Sequence, residues 1–296
     1  MTRLPFMQVD AFTATPLHGN PCVVVFAADG LEDEQMLAIT REMNLSETAF
    51  VLRSARADVR ARYFTPAEEI PLAGHPTIAT MHALVESRRL PLDDGVTIVQ
   101  LELQAGVIPV TVEVAAGKPR RVTMGQLAPR FMATYAAADV LPAFGLAAAD
   151  ALPGAPLQTV STGTPQLMVP LRDHDALRRA EIEPATYRGL KARGDFFSVH
   201  LFCLQGYTPA GTTAARHLGL PPEPAEDPFT GSATGHMGAY LWRHGLLEEP
   251  HFMAEQGHPL GRPGEAMVEV VGPRDAIRTV LVGGEAVTVV WGELQL

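Results

Sequence analysis

The stretch "EDPFTGSATGHMGAYL", residues 226–241, joins an acid, a proline and a glycine to a long run of small and apolar residues. Asp227 and Pro228 favour a tight turn, and the run that begins at Gly231 is typical of a buried helix. Two polar residues, Asp227 and Ser232, therefore stand at the start of a helix whose other residues are suited to packing. Their position calls for an explanation beyond packing.

A second copy of this pattern lies half a chain earlier, in "EIPLAGHPTIATMHAL", residues 69–84. Each copy has an acid, a proline and a glycine, followed by a helix that begins with small residues. The identical pairs are Glu69/Glu226, Pro71/Pro228, Gly74/Gly231, Thr77/Thr234 and Leu84/Leu241. Two copies so far apart predict two similar domains, each with a turn that leads into a buried helix.

Most of the remaining sequence is typical of short strands. Before residue 116 the strand-like runs are "FMQVDAF", "PCVVVFA", "TAFVL", "DVRARYF", "VTIVQLEL" and "VIPVTVEV". The second half contains further strand-like runs, which are "PLQTVSTG", "PQLMVPL", "FFSVHLFCL", "MVEVV", "AIRTVLV" and "AVTVVWGEL". Helices are predicted near 33–43, 75–89, 174–180 and 232–244, and a turn or loop over 142–156. Single helices among strands indicate an α+β protein with largely antiparallel sheets.

The composition limits the class of protein. A chain of 296 residues, 47% of them hydrophobic, is long enough for about two domains with ordinary cores. The net charge of −10, spread without long runs, argues against a nucleic-acid partner, which needs a basic surface. A small anionic substrate remains compatible with an acidic protein, because one site can be locally positive.

Cysteine and histidine patterns predict no metal and no organic cofactor. Cys22 and Cys203 are the two cysteines, and both lie in apolar runs, so they are predicted to be buried, inert thiols. The histidines form no HExxH or His/Cys cluster, and no phosphate-binding glycine loop occurs. His200, in "FFSVHLF", is predicted to be a satisfied core histidine and not a ligand.

The N-terminal residues "MTRLPFMQVDAF" lack the apolar core of a secretion signal. No apolar run approaches the roughly 20 residues that a membrane span needs. The expectation is a cytoplasmic protein without a membrane partner.

The two turns have a functional and a purely structural interpretation. The start of a helix exposes unpaired N–H groups and carries partial positive charge, so it can bind an anion. Gly74 and Gly231 would allow close approach of a ligand to the backbone, and Ser232 would add a hydroxyl. Alternatively, Ser232 caps its helix and Asp227 with Pro228 only builds a turn. The pattern alone leaves both open.

Five segments together resemble the PhzF-like family, the phenazine-biosynthesis isomerases and their many uncharacterised relatives. They are "GNPCVVVF", "LAITREMNLSETAFVL", "FTPAEEIPLAGHPTIATMHAL", "EDPFTGSATGHMGAYL" and "EQGHPLGRPG", in order along the chain. The resemblance implies a diaminopimelate epimerase-like fold: two pseudo-symmetric domains, each a curved, mainly antiparallel, barrel-like sheet around a central helix, with the active site in the cleft between them. The implied domains are 1–118, completed by strand 285–296, and 119–284. A homodimer is implied as well.

The resemblance also implies the catalytic residues. Glu47 of "NLSET" falls on the family's acid/base, while His75 of "AGHPT" and Asp227 of "EDPFTGS" fall on other catalytic positions. A carboxyl group shielded from water has a raised pKa and can shuttle a proton. Taken without its motif, Glu47 would be interpreted as an exposed glutamate at a helix–strand junction.

Substrate binding is implied for Gly74, Gly231 and Ser232, whose amides and hydroxyl would orient a carboxylate. Asn20 of "HGNP" is expected to face the same site, and Asp227 to orient an amine or hydroxyl group. The expected partner is a small anionic, carboxylate-bearing substrate, and the resemblance does not fix which one.

One departure from related enzymes bears on the mechanism. Racemases and epimerases of this fold resemble one another in placing a thiol before each turn glycine, where this chain has Ala73 and Thr230. A single carboxylate therefore predicts a cofactor-independent isomerase that moves a proton on a small, cyclic amino or hydroxy acid. The alternative is a catalytically idle member of the fold that binds small molecules or proteins. Against it argues the joint presence of Glu47, His75, Asp227 and Ser232.

Overall fold

The computed structural model describes residues 3–221 and 224–296. The chain divides into two compact units. Unit 1 comprises the residues up to Met124 together with Gly283–Leu296, and unit 2 comprises Gly125–Val282. That residues 1–118 with 285–296, and residues 119–284, form two independently folding domains remains a prediction.

The elements are numbered in chain order through both units. The helices are α1 Asp33–Met43, α2 Gly74–Glu86, α3 Ala137–Val140, α4 His174–Arg179, α5 Pro184–Arg193 and α6 Gly231–Arg243. The strands are β1 Arg3–Ala11, β2 Asn20–Val25, β3 Thr48–Leu52, β4 Val59–Phe64, β5 Glu69–Ile70, β6 Gly95–Leu103, β7 Gly106–Ala115, β8 Lys118–Gly125, β9 Arg130–Tyr135, β10 Leu157–Ser161, β11 Gln166–Pro170, β12 Ser198–Cys203, β13 Thr213–Leu218, β14 Glu226–Asp227, β15 His251–Gln256, β16 Gly264–Val271, β17 Thr279–Gly284 and β18 Ala286–Gln295.

Unit 1 is a sheet around helix α2. Strands β1–β2, β1–β18, β3–β4, β4–β5, β6–β7 and β7–β8 pair antiparallel, whereas β2–β3 and β4–β6 pair parallel. All residues of α2 except Glu86 are buried, because small and apolar side chains cover every face of this helix. The other side of the sheet packs on α1, whose Met36 and Ile39 join Val23 and Phe50 in one apolar cluster.

Unit 2 repeats this arrangement around helix α6. Strands β9–β10, β10–β11, β12–β13, β13–β14 and β15–β16 pair antiparallel, and β11–β12 and β13–β15 pair parallel. Tyr240 of α6 packs edge-on against Phe202 of β12, with ring centroids 5.8 Å apart. Helices α4 and α5 cover the opposite face, where Leu177 and Leu190 join Leu201 in one apolar cluster.

Strand by strand, the two units correspond. Strands β10 to β16 take the places of β1 to β7, β9 takes the place of β18, and each pairing named for unit 2 has the orientation of its counterpart. The predicted α+β class, with two similar halves that are mainly antiparallel sheets around a central helix, is confirmed.

An unpredicted ion pair repeats as well. Arg62 of β4 holds Glu69 of β5 through two hydrogen bonds of 2.8 and 2.5 Å. Arg216 of β13 holds Glu226 of β14 in the same way, at 2.9 and 2.7 Å. Both glutamates begin the short strand that leads into the turn before the central helix. The two-pronged guanidinium contact therefore fixes the direction in which the chain enters that turn.

The segment 142–156 contains short turns and no long linker. Leu141, Phe144 and Leu146, in and next to this segment, are buried and belong to the apolar cluster of unit 2. In the described part of the chain, none of the helices has the length and apolarity to span a membrane.

Candidate active site

The two central helices begin alike. Thr77 Oγ1 donates to the carbonyl of Ala73 at 2.8 Å, and Thr234 Oγ1 donates to the carbonyl of Thr230 at 3.0 Å. Neither capping residue bonds its side chain to the first turn: Ala73 has no polar atom, and the Thr230 hydroxyl donates to Asp227 Oδ2 at 2.6 Å. The amides of both first turns therefore keep the anion-binding character of uncapped helix starts.

Glu47 lies directly before β3, and its side chain is 20% exposed. Its Oε2 lies 3.3 Å from Nε2 of His75, the second residue of α2, which is buried. Burial raises the pKa of Glu47 to about 7, against a smaller lowering by a hydrogen bond from Ser46. Glu47 can therefore give up or accept a proton near neutral pH, so the interpretation as an ordinary exposed glutamate does not fit.

Asn20, at the start of β2, is fully buried and points at the same histidine. Its Nδ2 lies 3.2 Å from Nδ1 of His75. An amide nitrogen can only donate, so Nδ1 accepts and the ring proton lies on Nε2, the atom beside Glu47. Asn20, His75 and Glu47 thus form one row within unit 1.

The loop that delivers Asn20 is conformationally demanding. Phe12, Leu17 and Gly19 all have positive φ, at 63°, 68° and 56°. A Cβ on Gly19 would lie 2.1 Å from the Ala11 carbonyl oxygen, so glycine is required there. The buried carboxylate of Asp10 accepts the Leu17 N–H at 2.7 Å and supports this loop.

Cys22 stands next to the row but is not a base. It is fully buried, and its pKa is raised well above its ordinary value by burial and by the charge of Glu47. Cys203 is also free and buried, and burial raises its pKa. Both thiols are therefore protonated at neutral pH.

In unit 2, Asp227 and Ser232 flank the start of α6. Ser232 is the second residue of the helix and Thr230 is the cap, so the alternative in which Ser232 caps the helix is wrong. The Gln256 amide donates to the Asp227 carbonyl at 2.8 Å, and its Oε1 accepts the Thr230 N–H at 3.2 Å. Ser232 Oγ lies 3.5 Å from Nε2 of Gln166, a distance at the limit of a hydrogen bond.

Three further buried side chains hold this first turn. Gln126 donates to the Gly231 carbonyl at 3.0 Å and accepts from the Thr162 hydroxyl. His236 Nδ1 bonds the Ser232 carbonyl, and its Nε2 lies 3.3 Å from Thr162 Oγ1. The sequence did not predict that Gln126 and Thr162 hold the first turn of α6, because both lie far from α6 in sequence and belong to no motif.

The structure brings the predicted residues together in two sets. Asn20, Glu47, Gly74 and His75 form the set in unit 1, and Asp227, Gly231 and Ser232 the set in unit 2. Over residues 3–221 and 224–296, no group of three or more His, Cys, Asp or Glu side chains is placed to hold a metal ion.

Curated relatives give the class of protein. An uncharacterized isomerase, YddE, of Escherichia coli K12 is 37% identical over 293 residues, 95% of this chain and 94% of the relative. The trans-2,3-dihydro-3-hydroxyanthranilate isomerase of Pseudomonas fluorescens is 33% identical over 290 residues, 96% of each chain. By class, the protein is an isomerase.

Solved structures and a family model agree with this class. A PhzF-family phenazine biosynthesis protein from Bacillus anthracis matches with a TM-score of 0.87 and 30% identity over 100% of both chains. A hydroxyproline epimerase from Agrobacterium vitis, at 15% identity, matches with a TM-score of 0.64 over 99% of this chain and 92% of its own, which shows the shared fold. The chain belongs to the phenazine biosynthesis-like (PhzC-PhzF) family, whose model matches residues 9–292.

Proposed function

We propose that this isomerase moves a proton between two carbons of a small, carboxylate-bearing cyclic amino or hydroxy acid, with Glu47 as acid and base and without a cofactor. The observation that carries the proposal is the contact between Glu47 and His75, 3.3 Å long, together with the pKa of about 7 that burial gives Glu47. A carboxyl group with that pKa is suited to both halves of a proton transfer near neutral pH.

The proposed reaction is balanced within the substrate. Glu47, ionised, removes a proton from one carbon, and the electron pair of the broken C–H bond forms a new double bond to the adjacent carbon. The electron pair of the substrate's existing double bond shifts to a second carbon. Glu47, now neutral, returns the proton to that second carbon on the same face. The Nε2–H of His75 is positioned to stabilise the carboxylate of Glu47 or a developing negative charge on the substrate.

Recognition of the substrate carboxylate is proposed for the uncapped helix starts. The amides that follow Gly74 and Gly231 supply donors, and Ser232 adds a hydroxyl. Asp227, which accepts the Thr230 hydroxyl, is proposed to accept a hydrogen bond from an amine or hydroxyl group of the substrate.

Two facts support proton relocation over racemisation. The positions before the turn glycines hold Ala73 and Thr230, so the paired thiols of related racemases are missing. The Pseudomonas fluorescens relative is named for a cyclic substrate that carries a carboxylate, an amine and a hydroxyl group. A substrate of that chemical class fits the residues named above.

The test is exchange of substrate hydrogen with deuterated water. A panel of small cyclic amino and hydroxy acids is incubated with the protein, and deuterium incorporation is followed by NMR. The expected result is exchange with at least one member, and a loss of roughly 10²–10⁴-fold in Glu47→Gln with carboxylate binding kept. The matched control is Glu42→Gln on the exposed side of α1, which should keep the rate.

Full-rate exchange in Glu47→Gln would overturn the role of Glu47. Binding without exchange by any member would favour the alternative, an idle binding protein. It remains a prediction that Glu47 and Ser232 act on the same substrate molecule. The cytoplasmic location and the homodimer also remain predictions. A particle of about the chain mass, 31.8 kDa, in light scattering at micromolar concentration would contradict the homodimer.

A further inference from the structure

The strand registers identify which residue of unit 2 corresponds to Glu47. Arg62 pairs across β3–β4 with Phe50, and Arg216 pairs across β12–β13 with Leu201. Arg62 and Arg216 each bind the glutamate that begins the short strand before the central helix. Their register partners, Phe50 and Leu201, therefore occupy equivalent positions in the two units. Glu47 lies three residues before Phe50, and Ser198 lies three residues before Leu201. Ser198 therefore occupies in unit 2 the position that Glu47 occupies in unit 1.

The same reasoning assigns the neighbour of Ser198. Val25 lies beside Phe50, and Val169 lies beside Leu201, so β2 and β11 correspond residue by residue. Gln166 of β11 therefore stands where unit 1 has the inert Cys22. Unit 2 thus replaces an acid and a thiol by two neutral hydrogen-bonding side chains.

Three polar atoms at this place lack a partner. Gln166 Oε1, Ser198 Oγ and His200 Nε2 are buried, and none forms a hydrogen bond within the described residues. Their residues are 4%, 3% and 0% exposed. His200 was expected to be a satisfied core histidine; it is in the core, but one of its nitrogens is unsatisfied.

The three side chains share one face of the sheet and form what we call the unit 2 polar cluster. Gln166 and Ser198 are direct neighbours in the β11–β12 register, and His200 follows on the same face of β12. This face is the one toward α6, because Phe202, two residues on, packs against Tyr240. Gln166 also approaches Ser232 at the start of α6, so the cluster adjoins the proposed carboxylate site of unit 2.

Leaving such atoms unpaired is unfavourable. A buried polar atom without a partner has lost its hydrogen bonds to water and gained none in return, and native proteins rarely keep several such atoms together. Three of them beside a helix start indicate a partner from outside the chain. Ser232 and His217, which adjoin the cluster, are partly exposed and give a route to it.

The chemistry of the cluster selects an uncharged group. Gln166 Oε1 only accepts, Ser198 donates and accepts, and His200 Nε2 does one or the other. Burial lowers the pKa of His200 well below its ordinary value, and burial also lowers the pKa of His217 and of His236 to about 4. These histidines are neutral at pH 7. Asp227, the register partner of His217, and Lys191, whose charge also lowers the pKa of His217, are ionisable groups that lie near His217.

We propose that the unit 2 polar cluster, Gln166 with Ser198 and His200, recognises an uncharged hydroxyl or amino substituent of the substrate. The proposal rests on the proposed function, since it concerns the same small carboxylic acid. It makes the cluster a determinant of specificity, whereas Glu47 and His75 perform the chemistry.

The test compares ligands that differ by one substituent. Benzoate, 3-hydroxybenzoate and 2-aminobenzoate are titrated calorimetrically into the full-length protein. A substituted ligand should bind about tenfold tighter than benzoate, the ratio expected for one added hydrogen bond. In Ser198→Ala that ratio should fall below about twofold while benzoate binding stays unchanged. In Gln166→Leu, a second variant that also loses the contact with Ser232, the ratio should fall below about twofold whatever the affinity for benzoate itself.

The matched control is Thr213→Val. Thr213 Oγ1 is also buried and unpartnered among the described residues, but it lies at the opposite end of β13 from His217. This variant should keep the tenfold ratio, and thermal melting should show that all variants are folded.

The outcomes separate the two proposals. Equal affinity of wild type for benzoate and both substituted ligands, or a tenfold ratio that survives in both cluster variants, would mean that the three atoms hold only water and would overturn this inference alone. Absence of binding by all three carboxylates at millimolar concentration would overturn it together with the carboxylate-binding part of the proposed function.

Discussion

Glu47 illustrates how a reactive residue opposes the stability of the protein that holds it. The folded state raises its pKa from 4.5 to about 7, with burial as the largest cause. Between these values the folded protein binds the proton more tightly than the unfolded chain does. The free energy of unfolding therefore falls as pH rises through this window, by about 3 kcal/mol in all, since one pKa unit corresponds to about 1.4 kcal/mol.

Replacing Glu47 by glutamine should consequently stabilise the protein at high pH. The glutamine amide does not ionise, so the variant escapes the loss that wild type suffers above pH 7. We expect Glu47→Gln to melt about 5 °C above wild type at pH 8 and close to wild type at pH 4. Thermal melting followed by circular dichroism at both pH values measures this.

The comparison again uses Glu42→Gln, because Glu42 is exposed on α1. Its melting temperature should stay near that of wild type at both pH values. A Glu47→Gln variant that is less stable than wild type at pH 8 would show that the ionised carboxylate is favourable in the fold, against the assignment of a raised pKa.

Asn20 should control which nitrogen of His75 carries the proton. In Asn20→Asp the carboxylate accepts from Nδ1, so the ring proton moves away from the atom beside Glu47. We expect deuterium exchange to slow by at least about tenfold, since a wrong tautomer disables a catalytic histidine. NMR of ¹⁵N-labelled histidine reports the change directly, because protonated and unprotonated ring nitrogens have distinct shifts.

The same substitution at Asn44, the C-cap residue that follows α1, is the control and should leave both the exchange rate and the His75 signal unchanged. An Asn20→Asp variant with the wild-type tautomer and rate would remove Asn20 from the positioning role.

At the scale of residues, the site residues that could be predicted from the sequence are those that stand in recognisable motifs. Glu47 and Ser232 stand in segments specific enough to be recognised. Ser198 and Gln166 stand in apolar strands where nothing distinguishes them from core positions, and only the strand registers expose their equivalence to Glu47 and Cys22. A register is a property of two chain segments, so neither segment alone reveals it.

At the scale of elements, the first turn of α6 depends on close packing against Gln126. A Cβ on Gly235 would lie 2.0 Å from Gln126 Oε1. Gly235→Ala should therefore displace Gln126 and break its bond to the Gly231 carbonyl, at a cost of about 1–3 kcal/mol. Urea denaturation should show a lower midpoint, and benzoate should bind more weakly because the helix start is disturbed.

Gly189 of α5 provides the matched helical control. It is exposed, and a Cβ there would meet only the end of Arg193, at 3.8 Å. Gly189→Ala should be neutral or stabilising by up to about 1 kcal/mol, because alanine favours the helix. Equal effects of the two substitutions would contradict the role assigned to Gln126.

Two of the elements that the sequence pattern missed, β8 and α5, share a physical reason: each buries few side chains. Helices α1, α2, α4 and α6 begin within about one residue of their predicted starts, since turn residues and apolar spacing mark them. Strand β8, "KPRRVTMG", buries only two side chains and carries three basic residues, so its alternation is masked. Helix α5 buries only Tyr187 and Leu190, too few to produce a helical period.

At the scale of the whole molecule, the order of elements in the sequence and their order in the fold differ. Strand β18 pairs with β1 along nine residues, with Arg3 opposite Gln295, so both ends of unit 1 lie side by side. Unit 2 is thus an insertion between β8 and β18. The predicted completion of the first domain by strand 285–296 followed from family resemblance and not from any local signal in "AVTVVWGEL".

A circular permutant should therefore fold. A short glycine-rich linker would join the end of β18 to the start of β1, and new ends would open between Ala116 and Gly117 in the exposed turn after β7. We expect a melting temperature within a few degrees of wild type and unchanged benzoate affinity. A permutant opened between Ala79 and Thr80, inside buried α2, should fail to fold.

The return of β18 to unit 1 has a consequence for the newly made chain. Ribosomes add roughly 5–20 residues per second, so β1 is exposed for roughly 15–60 s before β18 is synthesised. The synthesis of unit 2 is completed during that interval. Meanwhile β1 of unit 1 has an unpaired edge that can form hydrogen bonds with strands other than β18. Unit 2 should fold first in the cell, and chaperones should engage the nascent protein chiefly through the β1 edge that β18 later covers.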